Sequence, residues 1–286
     1  MHSTHIIAEA FRQPVTFIKF CEPCAGDARL IRHLEPHVCV AAYDIEPRHE
    51  SVKPLNVLEI GTAKGYSTLC MAWAMDDHNI PGTICTIDPT LDTKFKIKIN
   101  DEINTLTTPQ LWKKIASDKW LSKIKPLSGY SGQVMEKYKF PKIDFSYIDG
   151  HHVFEAVEHD FYASLNISSN DFHILFDDYA FSDGVTKLID DDVSKNFDGV
   201  LIKTNLKEQY KELGLENNSK SVLFHAMCWF EQDLQKKPLR QIYQEDEINN
   251  ILKKYRKFEK RWILRQQINQ KIPMLKNIRF SKYFNG

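Results

Sequence analysis

Through most of this chain, apolar residues come in short bursts separated by polar turns. Val57, Leu58 and Ile60 make one burst, closed by Gly61, and Tyr66 to Met75 continues as a helix. The bursts predict strands at 56–60, 83–88, 123–128, 143–148, 172–177, 199–204 and 221–227. Strand and helix patterns alternate, which predicts an α/β fold with a mostly parallel sheet and helices on both faces. The last two predicted strands fit a terminal hairpin. The final segment has a different period: Ile248, Ile251, Leu252, Tyr255, Phe258 and Trp262 recur at helical spacing. Lys253, Lys254, Arg256, Lys257, Lys260 and Arg261 fill the other faces, and Pro273 stops the helix.

The 286 residues give room for one large α/β domain with attachments. No apolar run approaches the roughly 18–20 residues that span a bilayer, so no transmembrane segment is expected. Met1 to Ala10 lacks a basic region followed by an apolar core, so no signal peptide is expected. Five of the six cysteines sit in apolar surroundings and read as reduced core thiols. Cys21-Glu-Pro-Cys24 is a lone C-x-x-C with no second pair for zinc. These features predict a cytoplasmic protein. Net charge is zero but uneven, with fourteen Lys and Arg against four Asp and Glu from Gln235 to Gly286. The rest is correspondingly acidic, so a basic helix docked on an acidic body is the simplest expectation. An anionic ligand or a membrane surface is the alternative.

The first 55 residues show a small plan of their own. Phe17 to Ala28 looks like a strand and turn, Arg29 to Leu34 like a short helix, and Val38 to Asp44 like a second strand ending in an acid. This predicts an N-terminal β-α-β extension over 1–55, ahead of a main domain over 56–234 and a helical basic extension over 235–286. Residues 91–120 are polar, with Trp112 and Trp120 expected to pack a helix onto the body.

The richest chemistry lies at Asn56-Val-Leu-Glu-Ile-Gly-Thr-Ala-Lys-Gly-Tyr-Ser-Thr68. Strand, glycine turn and helix open a nucleotide-sized site at a sheet edge. Gly61 and Gly65 permit close backbone approach. Glu59 is expected to anchor the turn through backbone N–H groups. Thr62, Tyr66 and Ser67 complete the candidate cradle. Asp88 ends the second strand, where a carboxylate can accept both hydroxyls of a ribose. The alternative for Asp88 is a turn aspartate before Pro89. Gly129, Tyr130 and Ser131 follow the third strand and fall near the adenine by order along the chain. Ile143 to Ile148 delivers Asp149, His151 and His152 to the same edge, and Phe172 to Phe176 delivers Asp177 and Asp178. Like charges at about 4 Å cost about 4 kcal/mol at an effective dielectric near ~20. A divalent cation, a basic side chain or protonation must offset that. Mg²⁺ is a natural solution, because it takes oxygen ligands and keeps water positions open. The alternative is that these acids and histidines cap loops and helices.

The glycine turn resembles motif I of the Rossmann-like class I S-adenosylmethionine (SAM) methyltransferases. Ile-Asp-Gly-x-His-x-x-Glu-x-Val-x-x-Asp at 148–160, Asp177-Asp-Tyr179 and Gly184-Val185 look like family 24 and the sugar O-methyltransferases. The resemblance covers residues 56 to about 190. It implies SAM as methyl donor and Mg²⁺ on Asp149, Asp177 and Asp178. The macrolide-sugar relatives carry an aspartate base at the position of His151. His152 matches a histidine of the wider family. Ser169-Asn170-Asp171 replaces the usual Gly-Gly, which implies a differently shaped turn.

Residues 20–48 separately resemble a fragment of the adenine-type DNA methyltransferases, with Ala28 in place of the last motif glycine. Tyr147-Ile-Asp-Gly150 lacks the Pro-Pro platform of base methylation, so nucleic acid is not the expected substrate. The expected activity is O-methylation of a sugar or other small hydroxylated acceptor, with Asp149, His151 and His152 as the catalytic candidates. Its acceptor pocket is expected from 91–120, 180–198 and 205–220. The rivals are nucleic-acid methylation and a degenerate SAM-binding protein. The C-terminal helix could also pair two copies of the chain.

Overall fold

A computed structural model describes residues 16–18, 39–41, 55–99, 102–179, 182–196, 198–203, 226–231 and 244–271. The strands are β1 (Thr16–Ile18), β2 (Cys39–Ala41), β3 (Asn56–Ile60), β4 (Thr83–Asp88), β5 (Phe95–Ile99), β6 (Glu102–Leu106), β7 (Ile124–Ser128), β8 (Ile143–Ile148), β9 (Ser168–Tyr179), β10 (Asp198–Lys203) and β11 (Ala226–Glu231). The helices are α1 (Tyr66–Asp77), α2 (Thr108–Ile115), α3 (Asp118–Leu121), α4 (Ser131–Lys137), α5 (Phe154–Asn166), α6 (Asp183–Leu188), α7 (Ser194–Asn196) and α8 (Glu245–Lys271).

Seven strands form the central sheet, in the order β10-β11-β9-β8-β3-β4-β7. Neighbours from β9 through β7 run parallel, and β11 runs antiparallel to both β9 and β10. This is the mostly parallel, helix-flanked, Rossmann-like sheet that the alternating pattern predicts. Neighbouring β4, β3 and β8 carry near-continuous apolar runs because helices cover both of their faces. Val57, Phe145, Tyr147 and Leu175 pack with Met71 and Met75 of α1 on one face. Leu58, Ile60, Ile148 and Phe176 pack with Val157 and Phe161 of α5 on the other.

Several boundaries differ from expectation. The final strand is described over Ala226–Glu231, and residues 221–225 of its predicted span lie outside the described residues. β9 reaches back to Ser168, and its register against β8 shifts between Ile143 and Phe145. The differently shaped turn implied by Ser169-Asn170-Asp171 is therefore an irregular extension of the strand. β5 and β6 pair antiparallel, a pairing the sequence reading did not propose. Phe95-Lys-Ile-Lys-Ile99 carries the strict alternation that would have shown it. β1 and β2 pair antiparallel in a separate two-stranded sheet, whereas a β-α-β unit would set them parallel. The helix expected over 29–34, the Cys21–Cys24 pair, residues 205–220 and Pro273 lie outside the described residues.

α8 follows the predicted stripe. Ile248 and Tyr255 are buried, and the helix packs on α4 and α5 of its own chain. Arg256 pairs with Glu136 at 2.7 Å, an instance of basic helix on acidic body. Leu264 and Ile268 stay exposed. Cys70 and Cys85 are buried thiols, as core cysteines should be. Among the described residues, no helix is long and apolar enough to cross a membrane.

Candidate active site

The glycine turn leaves β3 through Gly61, at φ 101°, and enters α1 through Gly65, at φ 83°. Both values lie where an L side chain is disfavoured. A Cβ on Gly61 would also overlap the backbone carbonyl of Asp149. The turn is thereby pressed against the tip of β8, and Asp149 N donates to Ile60 O at 2.8 Å. Gly61→Ala should lower stability by about 1–3 kcal/mol, the usual cost of overpacking. Thermal melting of the two proteins checks this; an unchanged midpoint would contradict the close approach.

Glu59 is fully buried beneath the turn. Its carboxylate accepts from the hydroxyls of Ser67, Thr68 and Thr86. This corrects the expected backbone N–H anchoring: the acid ties β3, β4 and α1 together through hydroxyl groups. Burial pushes its pKa up, and the three hydroxyls oppose that. Thr62 is buried too and bonds Thr86 through their side-chain oxygens. Glu59, Thr62 and Ser67 therefore shape the cradle from below. Tyr66 is half-buried at the first position of α1.

Asp88, at the tip of β4, turns toward the same loop. Its Oδ2 accepts from Ala63 N at 2.9 Å, and its Oδ1 accepts from Thr90 N and Thr90 Oγ1, each at 2.6 Å. The carboxylate is half-exposed and holds the glycine turn by a charge-assisted bond. On the outer side, Trp112 Nε1 donates to Lys64 O at 2.9 Å and Thr108 Oγ1 to Ala63 O at 3.0 Å. Trp112 is buried, as the sequence suggests, and it braces the turn. Ser131 opens α4 after β7, with Gly129 at φ 144° just before it.

Across the sheet edge stands a cluster of acids and histidines. His152 lies between two carboxylates, with Nδ1 2.7 Å from Asp178 Oδ2 and Nε2 3.4 Å from Asp149 Oδ1. Hydrogen bonds to Asp149 and then Asp178 push the His152 pKa up. Burial and then Asp177 push that of Asp149 up, against the pull of His152. An imidazole thus stands between these two acids, and a basic side chain is one of the three ways of offsetting their repulsion. Donor atoms of Asp149, His152 and Asp178 all lie within 4.8 Å of one another.

Asp177 is oriented differently. It accepts from Tyr147 Oη at 2.6 Å and from Asp178 N at 2.8 Å. The expected set of Asp149, Asp177 and Asp178 is therefore brought to one edge, but His152 stands in the cluster where Asp177 was expected. Asp178 takes φ 58°, which breaks the strict alternation of β9. Ser182 Oγ donates to His152 O at 3.0 Å and ties the loop before α6 to this cluster. Two carboxylates and an imidazole fit a divalent cation in number and reach. Exposed His151 makes no carboxylate contact among the described residues; its ring lies 4.9 Å from that of Trp262 on α8. Burial and the neighbouring His152 push its pKa down.

Sequence reasoning missed the part played by α8. Glu259, 1% exposed, accepts from Gly132 N at 2.8 Å and pairs with Arg256. Tyr255 stacks on buried His159 at 4.2 Å. The signal was present: Glu259 is a single acid within the apolar stripe of a basic helix.

Residues 58–179 match the family model described as a methyltransferase domain. The matched stretch holds the glycine turn, Asp88 and the cluster of acids and histidines described above. No curated protein matches the sequence. Among solved structures, the O-methyltransferase TomG of Streptomyces achromogenes, in complex with SAM, is 14% identical over 63% of this chain and 74% of its own, at a TM-score of 0.43. An O-methyltransferase of Bacillus cereus, bound to SAH, is 15% identical over 63% and 75%, at 0.41. An rRNA methylase of Streptococcus thermophilus is 9% identical over 63% and 87%, also at 0.41. Likenesses this distant say nothing of the acceptor of this chain.

Proposed function

We propose that this protein transfers the methyl group of SAM to a hydroxyl of a sugar or other small hydroxylated acceptor, with a divalent metal assisting. The observation that carries the reading is one shared edge. The glycine turn, Asp88 and the Asp149–His152–Asp178 cluster sit at the carboxyl ends of adjacent parallel strands, where ligands of this fold bind.

When bound, SAM supplies an already activated methyl group. The backbone of the Gly61–Gly65 turn receives the methionine and ribose portion, and Asp88 accepts from the ribose hydroxyls. Asp149 and Asp178, with His152 or Asp177, would hold Mg²⁺, which lowers the pKa of a coordinated hydroxyl. The protein's remaining task is alignment and proton removal. His151 is the group we assign to accept the proton, because it is exposed and contacts no carboxylate among the described residues, whereas His152 is held between two. The proton passes from the acceptor hydroxyl to an imidazole nitrogen. Domain boundaries near 55 and 235, and a cytoplasmic setting, remain part of this reading.

Calorimetry with SAM in the presence and absence of Mg²⁺, followed by methyl transfer to a panel of glycans, tests it. The expected result is SAM binding without metal, and turnover that EDTA abolishes and Mg²⁺ restores. Turnover indifferent to EDTA would remove the metal from the reading. Binding with no turnover on any acceptor would favour a SAM-binding protein without catalysis. Absence of SAM binding would sink the proposal.

A further inference from the structure

α8 touches both of the turns that flank the edge described above. Glu259 reaches the first turn of α4, just after the β7–α4 connection, at Gly132 N. Tyr255, four residues earlier on the same stripe, is buried and stacks on His159. One helical turn beyond Glu259, Trp262 reaches the loop between β8 and α5, at His151. The rings form a continuous column. His159 lies against Tyr255 at 4.2 Å, Tyr255 against Phe258 at 5.9 Å, Phe258 against Trp262 at 6.4 Å, and Trp262 against His151 at 4.9 Å. Such a column fixes the rotation and height of the helix, and so fixes where Glu259 falls.

The Glu259 contact is too specialised to be incidental packing. A carboxylate that is 1% exposed requires hydrogen-bonded partners, and it has them in Gly132 N and Arg256. The fit is close from the other side as well. A Cβ on Gly132 would stand 2.8 Å from both Glu259 carboxylate oxygens. Glycine at 132 and glutamate at 259 are thus complementary across 127 residues of chain.

We propose that Glu259 is a positioning residue for the cofactor site: it locks the β7–α4 turn in the shape that receives the adenine, while Trp262 braces the opposite loop through His151. The inference rests on the SAM reading above and extends the cofactor site to a helix outside the matched domain. Glu259 acts through the turn and does not itself touch the cofactor.

The test uses the full chain and measures SAM and SAH affinity by calorimetry, beside the melting temperature. Glu259→Ala should weaken both ligands about tenfold, the effect of losing one buried hydrogen bond that orders the turn. Glu259→Gln keeps an acceptor for Gly132 N and should restore affinity to within about threefold. Gly132→Ala pushes the carboxylate away without deleting it and should reproduce the loss even if Glu259→Ala fails to fold. Trp262→Ala should weaken binding in the same direction, and Lys257→Ala, on the exposed face of the helix, should not. SAM affinity unchanged in Glu259→Ala and Gly132→Ala, with only the melting temperature lowered, would overturn the inference and leave α8 a structural strap. A wild-type protein that fails to bind SAM overturns the donor reading and this inference with it.

Discussion

Methyl transfer should fall about a hundred- to a thousandfold when Asp149 is replaced by alanine or Asp178 by asparagine, while SAM affinity stays within a few-fold. These two acids belong to the cluster opposite the glycine turn, so their loss should act on the acceptor side of the reaction. Removing one preorganised electrostatic group from a catalytic site typically costs that much in turnover. Asparagine is the cleaner substitution at 178, because the backbone there holds φ 58° and asparagine tolerates that region better than alanine. The checks are initial rates with any acceptor the wild type uses, and calorimetric titration with SAM. A loss of SAM binding as large as the loss of rate, in both variants, would contradict the assignment of these acids to the acceptor and metal side.

Asp88→Ala should do the reverse, and weaken SAM itself roughly a hundredfold. The Asp88 carboxylate holds the glycine turn through Ala63 N and holds Thr90 at the tip of β4. In the proposed complex it also accepts from the ribose. Hydrogen bonds to a charged group are worth about 1.5–3 kcal/mol each, so losing the ribose contact and loosening the turn together reach that size. Titration with SAH gives the same information without turnover. If Asp88→Ala binds SAH as tightly as the wild type, Asp88 is a turn aspartate and no more. The two predictions form a crossed pair: one edge of the site governs rate, the other affinity.

How far the sequence went is clearest strand by strand. Strands 56–60, 83–88 and 143–148 were legible to the residue, because they are buried on both faces and end at glycine, aspartate or proline. The last predicted strand, 221–227, overlaps β11 at Ala226 and Met227, and its first five residues lie outside the described residues. The β5–β6 pairing was missed because lysines alternate with the apolar residues of β5 and made the segment read as simply polar. The apolar stripe of α8 was read correctly, but its one buried acid was not singled out. Helical periodicity reports which side of a helix is covered, and not which polar group meets a partner there.

The site divides in the same way. Spacing alone brought Gly61, Gly65, Asp88, Asp149, His152 and Asp178 to one edge, since every parallel strand in this fold ends on the same side. It could not say how the side chains would settle. His152 lies between Asp149 and Asp178, Asp177 turns to Tyr147, and Glu59 gathers hydroxyls in place of backbone amides. What the sequence determined by itself is the order of strands and helices and the α/β class of fold they make, because burial patterns and glycine turns are local properties. Only the tertiary structure decided which charges face each other and that a helix from the far end of the chain braces the site. Those contacts join residues up to 127 positions apart, and no local pattern encodes them.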